Sequence, residues 1–90
     1  MTLTIETIDW AASSRRDMRQ VDDRTRERIR RAVDRCAVDG HGDVKRLPGR
    51  DWEWRLRVGD WRVSFTFPDA ADPDHVLILR VLPRGRAYRD

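Results

Sequence analysis

The chain is poor in cysteine, in lysine and in long apolar runs. Its 90 residues hold one cysteine, Cys36, and one lysine, Lys45. A lone cysteine cannot close an intramolecular disulfide, and no Cys/His cluster has metal-ligand spacing. Cys36 is therefore expected to be a small core residue in a reducing compartment, not a nucleophile. No apolar run approaches membrane-spanning length. The stretch MTLTIETIDW lacks the charged segment and long apolar run of an export signal. These absences predict a cytoplasmic protein with no metal, no cofactor and no bilayer anchor. No linker, repeat or low-complexity tract divides the sequence, so residues 1–90 read as one domain.

What is present is charge, tryptophan and a clear alternation. Hydrophobic residues are 39% and include four Trp and two Phe, enough for one small core in a chain near the lower limit of independent folding. Charged residues are another 39%, so the surface is densely ionic. The formal net charge is only +3, but it is unevenly spread. Residues 1–44 carry nine Arg against nine acidic residues, whereas residues 45–90 carry ten Lys and Arg against seven acidic ones. The whole excess lies in the second half, a pattern that suits a phosphate-bearing partner, nucleic acid first. Eighteen of the nineteen basic residues are Arg, whose planar fork suits bidentate phosphate contact. A codon bias toward Arg produces the same count, so the count alone decides nothing.

The chain order reads β-α-α-β-β-β. Thr2 to Ile8 alternates and is β-branched-rich, a first strand. Trp10, Ser14, Met18 and Val21 then recur at helical spacing, with Asp9 as a plausible N-cap. Asp22 or Asp23 caps a second helix running to about Asp39 and stopped by Gly40. Its apolar stripe is Ile29, Val33, Cys36 and Ala37; its opposite face carries Arg24, Arg28, Arg31 and Arg35. His41 to Arg50 reads as a loop. Trp52 to Phe67 alternates on both sides of a Gly59-Asp60 turn, as a hairpin does. Trp52, Trp54, Leu56 and Val58, then Trp61, Val63, Phe65 and Phe67, are its expected core wall. Pro68 to Asp74 is a polar turn. His75 to Leu82 is a last strand with Leu77, Leu79 and Val81 on the expected core side. The predicted class is α+β: a mostly antiparallel sheet with an N-terminal helical hairpin packed on one face.

The other hairpin face gathers Arg55, Arg57 and Arg62, with Arg84 and Tyr88 following the last strand. Fixed guanidinium groups can hold an RNA phosphate and stabilise the added charge of a pentacoordinate transition state. Cleavage of RNA needs no metal when the 2′-hydroxyl attacks its own phosphate in line. Arg stays protonated and cannot be the base. Tyr88 and Glu53 are the nearby groups able to move a proton, and Glu53 shares strand parity with Arg55 and Arg57. The competing reading is a solvated sheet face with ion pairs to Asp51, Glu53 and Asp60, and Tyr88 as a tail anchor. His41 and His75 are weak candidates, one beside glycines and the other beside acidic residues.

Leu47-Pro48-Gly49, WRLRVGDWRV (Trp54 to Val63) and PRGRAYR (Pro83 to Arg89) together resemble the RelE/ParE toxin superfamily, across nearly the whole chain. The resemblance implies one half of a bacterial type II toxin–antitoxin pair. RelE-type members cut mRNA in the ribosomal A site, and ParE-type members poison DNA gyrase. By resemblance, Arg55 and Arg57 contact the scissile phosphate and neighbouring RNA, and Arg62 stabilises the transition state. Arg84 and Tyr88 match the terminal arginine and the tyrosine that stacks on a base or assists proton transfer. That pair favours the RelE-like branch. Lys45, Arg46, Arg80 and Arg86 are the further basic residues expected against RNA or ribosome. The best-known nucleases often carry Lys where Arg55 stands, and a Gly-His-Arg where this chain has Leu82-Pro83-Arg84. The family implies a ribosome-dependent, metal-independent mRNA endonuclease, held by a cognate antitoxin in a hetero-oligomeric complex. A gyrase-binding toxin and a non-toxic RNA- or protein-binding relative are the rivals. Replacing Arg62 with Ala is expected to abolish toxicity with the fold intact.

Overall fold

A computed structural model of the chain describes residues 5–49 and 52–85. The order is β1 (Thr7–Trp10), α1 (Ala12–Arg19), α2 (Asp23–Asp39), β2 (Asp43–Arg46), β3 (Trp54–Val58), β4 (Trp61–Thr66) and β5 (His75–Pro83). The five strands form one sheet in the order β1-β5-β4-β3-β2. Only β1 and β5 run parallel; the other three pairs are antiparallel. This is the expected α+β class, with one short strand added. Asp43 to Arg46 lies in the segment read as a loop, and pairs with Arg57 to Trp54 as an edge strand. Its glycine- and charge-rich flanks hide the signal.

α2 matches its sequence signals closely. The Asp22 carboxylate accepts from the Thr25 N–H at 2.8 Å, and Gly40 closes the other end with φ 74°. Ile29, Val33 and Ala37 are buried. Ile29 and Val63 are fully buried, and burial of each such side chain contributes about 1.5–3 kcal/mol. Leu56, Phe65, Val76 and Ile78 complete the sheet side of the core.

α1 differs in its start. Trp10 belongs to β1, and the cap position is Ala11, without a side-chain cap bond. Asp9 instead lies against His75, with Oδ2 at 2.7 Å from Nε2. Ser14, Met18 and Val21 are buried as the spacing predicts. α1 also covers the part of β5 that β1 is too short to reach. Ser13 Oγ donates to the Leu79 carbonyl at 2.7 Å, and the Asp17 carboxylate accepts from the Val81 N–H at 2.8 Å. Arg26 fastens the two helices: its Nε and Nη2 donate to the Met18 and Val21 carbonyls, both at 2.9 Å. Both carbonyls lie at or just past the C-terminal end of α1, where helix carbonyls lack the usual i+4 donor.

Three core assignments change. Trp52 is 59% exposed, beyond the start of β3. Phe67, just past β4, is exposed as well. In β5 the expected face is inverted over its first half: Val76 and Ile78 are buried, while Leu77 and Leu79 are half-buried. A bulge opposite Ser64 and Phe65 then inserts one residue, and Val81 returns to the core as expected. Simple alternation cannot reveal a bulge, so the parity error is confined to the residues before it. Leu3 and Tyr88 lie outside the described residues.

Candidate functional site

The chemistry-bearing residues gather where the β3–β4 turn meets the end of β5. Pleating sends Arg55 and Arg57 to the sheet face away from α2, with Arg62 and Ser64 beside them on β4. Arg57 stands directly opposite Arg62 in the ladder. Like charges so placed repel, and an anion between them would relieve that repulsion.

The arginines differ in freedom. Arg57 is exposed. Arg62 is only 7% exposed, and its Nη1 donates to the Gly59 and Trp61 carbonyls at 2.9 and 3.0 Å. Both acceptors are neutral, so the guanidinium is fixed in direction yet keeps its charge. Arg55 is nearly covered and lies 3.5 Å from Asp43 Oδ2. Arg84 is exposed, and its N–H donates to the Asp60 carbonyl at 2.8 Å, tying the end of β5 to the hairpin turn. Arg57, Arg62 and Arg84 therefore share one corner of the molecule. Arg86 and Tyr88 follow Arg84 but lie outside the described residues.

Other expected site residues sit elsewhere. Glu53 is buried just before β3, about 13 Å along the strand from Arg57. The structure does not bring it to the Arg57–Arg62 pair. Lys45, opposite Arg55, faces the same side of the sheet, but Arg46 points to the other face and stacks on Trp54 with its Cζ 5.1 Å from the ring centroid. Arg80 is answered by Asp17: its Nε and Nη2 donate to the carboxylate at 2.8 and 3.1 Å. Burial pulls the Asp17 carboxyl upward, but the Arg80 and Val81 hydrogen bonds and the nearby guanidinium charges outweigh it, holding it below the usual carboxylate range. Arg80 is thus a structural partner first. Asp17 was not legible as a site residue, because its partners are 63 and 64 residues away.

Two grooves flank α2. One, about 390 Å³, is apolar and lined by Val33, Cys36, Val44, Trp54 and Phe65 among others. Cys36 is half-buried there, and burial, then Asp39, push its thiol upward and away from the reactive thiolate. The other, about 680 Å³, is lined by Arg24, Arg28, Arg31 and Arg35 with Asp23, Glu27, Ala32 and Val58. Arg28 also lies across the hairpin turn: a Cβ on Gly59 would sit 2.6 Å from its Nη2.

A two-helix, five-stranded α+β fold with arginines on its open sheet face defines the class. The model of the ParE toxin of type II toxin–antitoxin systems matches residues 8–88. The chain belongs to this family, within the RelE/ParE superfamily, and is the toxin of a type II toxin–antitoxin system. No curated protein matches it. Among solved structures, the fold is similar to three toxin–antitoxin complexes. In the RelBE2 complex of Mycobacterium tuberculosis the TM-score is 0.75 at 21% identity, over 91% of this chain and 94% of that one. The RelE–RelB complex of Pyrococcus horikoshii gives 0.72 at 22%, over 93% and 100%. The RelB–RelE complex of Methanococcus jannaschii gives 0.69 at 23%, over 86% and 91%.

Proposed function

We propose that this toxin is a ribosome-dependent mRNA endonuclease, acting in the cytoplasm without a metal and silenced by a cognate antitoxin. The observation that carries the reading is the cross-strand pair of Arg57 and Arg62 beside Arg84. A buried guanidinium of fixed direction and an exposed one next to it suit a phosphate whose charge grows during reaction. In the proposed step the 2′-oxygen attacks phosphorus, the 2′-proton leaves to a base, and the 5′-oxygen departs and takes up a proton. Arg62 and Arg57 together stabilise the pentacoordinate phosphate, Arg84 holds the strand, and Arg55 supports neighbouring RNA. Tyr88 is the proposed proton carrier and base-stacking group, since Glu53 is remote. Lys45 extends the RNA path at the sheet edge, and Arg86 continues it past Arg84.

The apolar groove beside α2 suits an antitoxin segment, a partner class supported by the RelB-bound neighbours. The second reading, inhibition of DNA gyrase, is favoured by the match to the ParE model. Primer extension on an mRNA under translation in a purified system separates the two. The nuclease reading expects cuts within A-site codons that vanish when ribosomes are omitted. Intact mRNA from a folded, toxic protein would move the assignment to gyrase.

A further inference from the structure

We propose that the arginine groove between α2 and the β3–β4 turn is a docking track for the phosphate backbone of a folded RNA helix, separate from the cleavage corner; this rests on the nuclease reading above. Arg24, Arg28, Arg31 and Arg35 are all exposed on one flank of α2. From first to last they cover about 16 Å of helix axis. Glu27 engages Arg31 at 3.0 Å and reaches Arg30 at 3.8 Å. Among the described residues, Arg24, Arg28 and Arg35 have neither hydrogen bond nor ion pair. Arg24 has only a through-space attraction to the Asp22 carboxylate; with Arg28 and Arg35 it gives one groove three guanidinium groups without a hydrogen-bonded acid, and that points to a polyanion.

The lining selects among polyanions. Among the described residues, the groove offers besides charged side chains only Ala32 and Val58. A peptide helix docked in a groove needs apolar anchors at successive turns, and these are missing. Single-stranded RNA is gripped largely by stacking on aromatic side chains, and the described residues lining the groove include none. Duplex RNA is recognised by shape and by phosphate and 2′-hydroxyl contacts, which arginines alone can supply. Position adds to this. Arg28 lies over Gly59 from the α2 side, while Arg62 bonds the Gly59 carbonyl from the open face. One glycine thus separates the track from the cleavage corner, so RNA docked on the first would stand beside the second.

The test is fluorescence anisotropy of the full chain with a labelled twelve-base-pair RNA duplex, a labelled U12 strand and a labelled poly-glutamate peptide. Wild type should bind the duplex with a Kd on the order of 10 μM or tighter at 50 mM salt. The variant R24Q/R28Q/R35Q should weaken duplex binding at least tenfold and flatten the log–log salt slope by about 2 to 3. It should leave circular dichroism and melting unchanged, because all three residues are exposed. Glu27→Gln, which releases Arg30 and Arg31, should tighten duplex binding. Less than a twofold change in the triple variant overturns the proposal, as does a loss confined to poly-glutamate or a loss equal on U12 and duplex. The assay contains no ribosome and reads no cleavage, so it can fail while the nuclease reading stands, and succeed where that reading fails.

Discussion

On one side of α2, Val33 and Ala37 meet Trp54, Leu56 and Phe65 around an apolar groove; on the other, Arg24, Arg28 and Arg35 overhang Ala32 and Val58. The same helix serves both. Its apolar stripe is continuous with the core, so residues there act on stability. Its arginine flank contributes little to folding, since few of its charges are paired, and it is free to act on binding. The open sheet face lies between these extremes. Arg57 is exposed and unconstrained, whereas Arg62 is built into the hairpin by two hydrogen bonds. Arg62→Ala therefore perturbs the turn as well as the proposed chemistry, costing about 1–2 kcal/mol, and Arg57 is the cleaner probe.

Ile29→Ala should cost about 3 kcal/mol in urea unfolding, because the side chain is completely enclosed; a cost below 1 kcal/mol would mean that the surrounding core collapses to fill the space. Asp17→Ala should cost about 2 kcal/mol at pH 7 by freeing Arg80 and the Val81 N–H. The Asp17 carboxyl is depressed on folding, so its contribution is complete above the ordinary value of 3.8 and is lost as pH falls through the lower folded value. The gap between wild type and variant, measured at pH 7 and again near pH 2.5, should narrow; a constant gap would remove the ionic part of the account.

A smaller effect sharpens the boundary between the two sides. Gly59 has φ +58°, and any Cβ there meets the Arg28 guanidinium. Gly59→Ala should cost about 1–2 kcal/mol, and combining it with Arg28→Ala should recover the part due to the clash. Strictly additive costs would mean that Arg28 simply swings away. Smallest of all, Arg57→Ala and Arg28→Gln should each change stability by less than about 0.5 kcal/mol. A larger loss in thermal unfolding would show that these arginines support the fold.

Much of this was legible in the residues. Asp22, Gly40 and the Ile29–Val33–Ala37 spacing mark α2 because caps and helical periodicity are local signals. Alternation around Gly59-Asp60 marks the hairpin and brings Arg57 and Arg62 to one face. What escaped depends on distant partners. β2 exists because β3 offers it an edge, and α1 begins late because Trp10 pairs with Ile78. The face of Val76 and Ile78 is set by a bulge that leaves no trace in alternation. Asp9 reads as a helix cap and Asp17 carries no signal of its own until the fold supplies His75 and Arg80. Glu53 shows the reverse: it lies just before β3 and is buried there, away from the Arg57–Arg62 pair.

The most direct test of the central claim is cleavage of a ribosome-bound mRNA under single-turnover conditions, measured against ribosome concentration for wild type, Arg57→Ala and R24Q/R28Q/R35Q. The account predicts that Arg57→Ala lowers the maximal rate at least a hundredfold with little change in half-saturation. The triple variant should raise the half-saturating ribosome concentration about tenfold and leave the maximal rate near wild type. Equal effects of both variants on the same parameter would contradict the division of labour, and uncut mRNA with wild type at every ribosome concentration would contradict the nuclease itself.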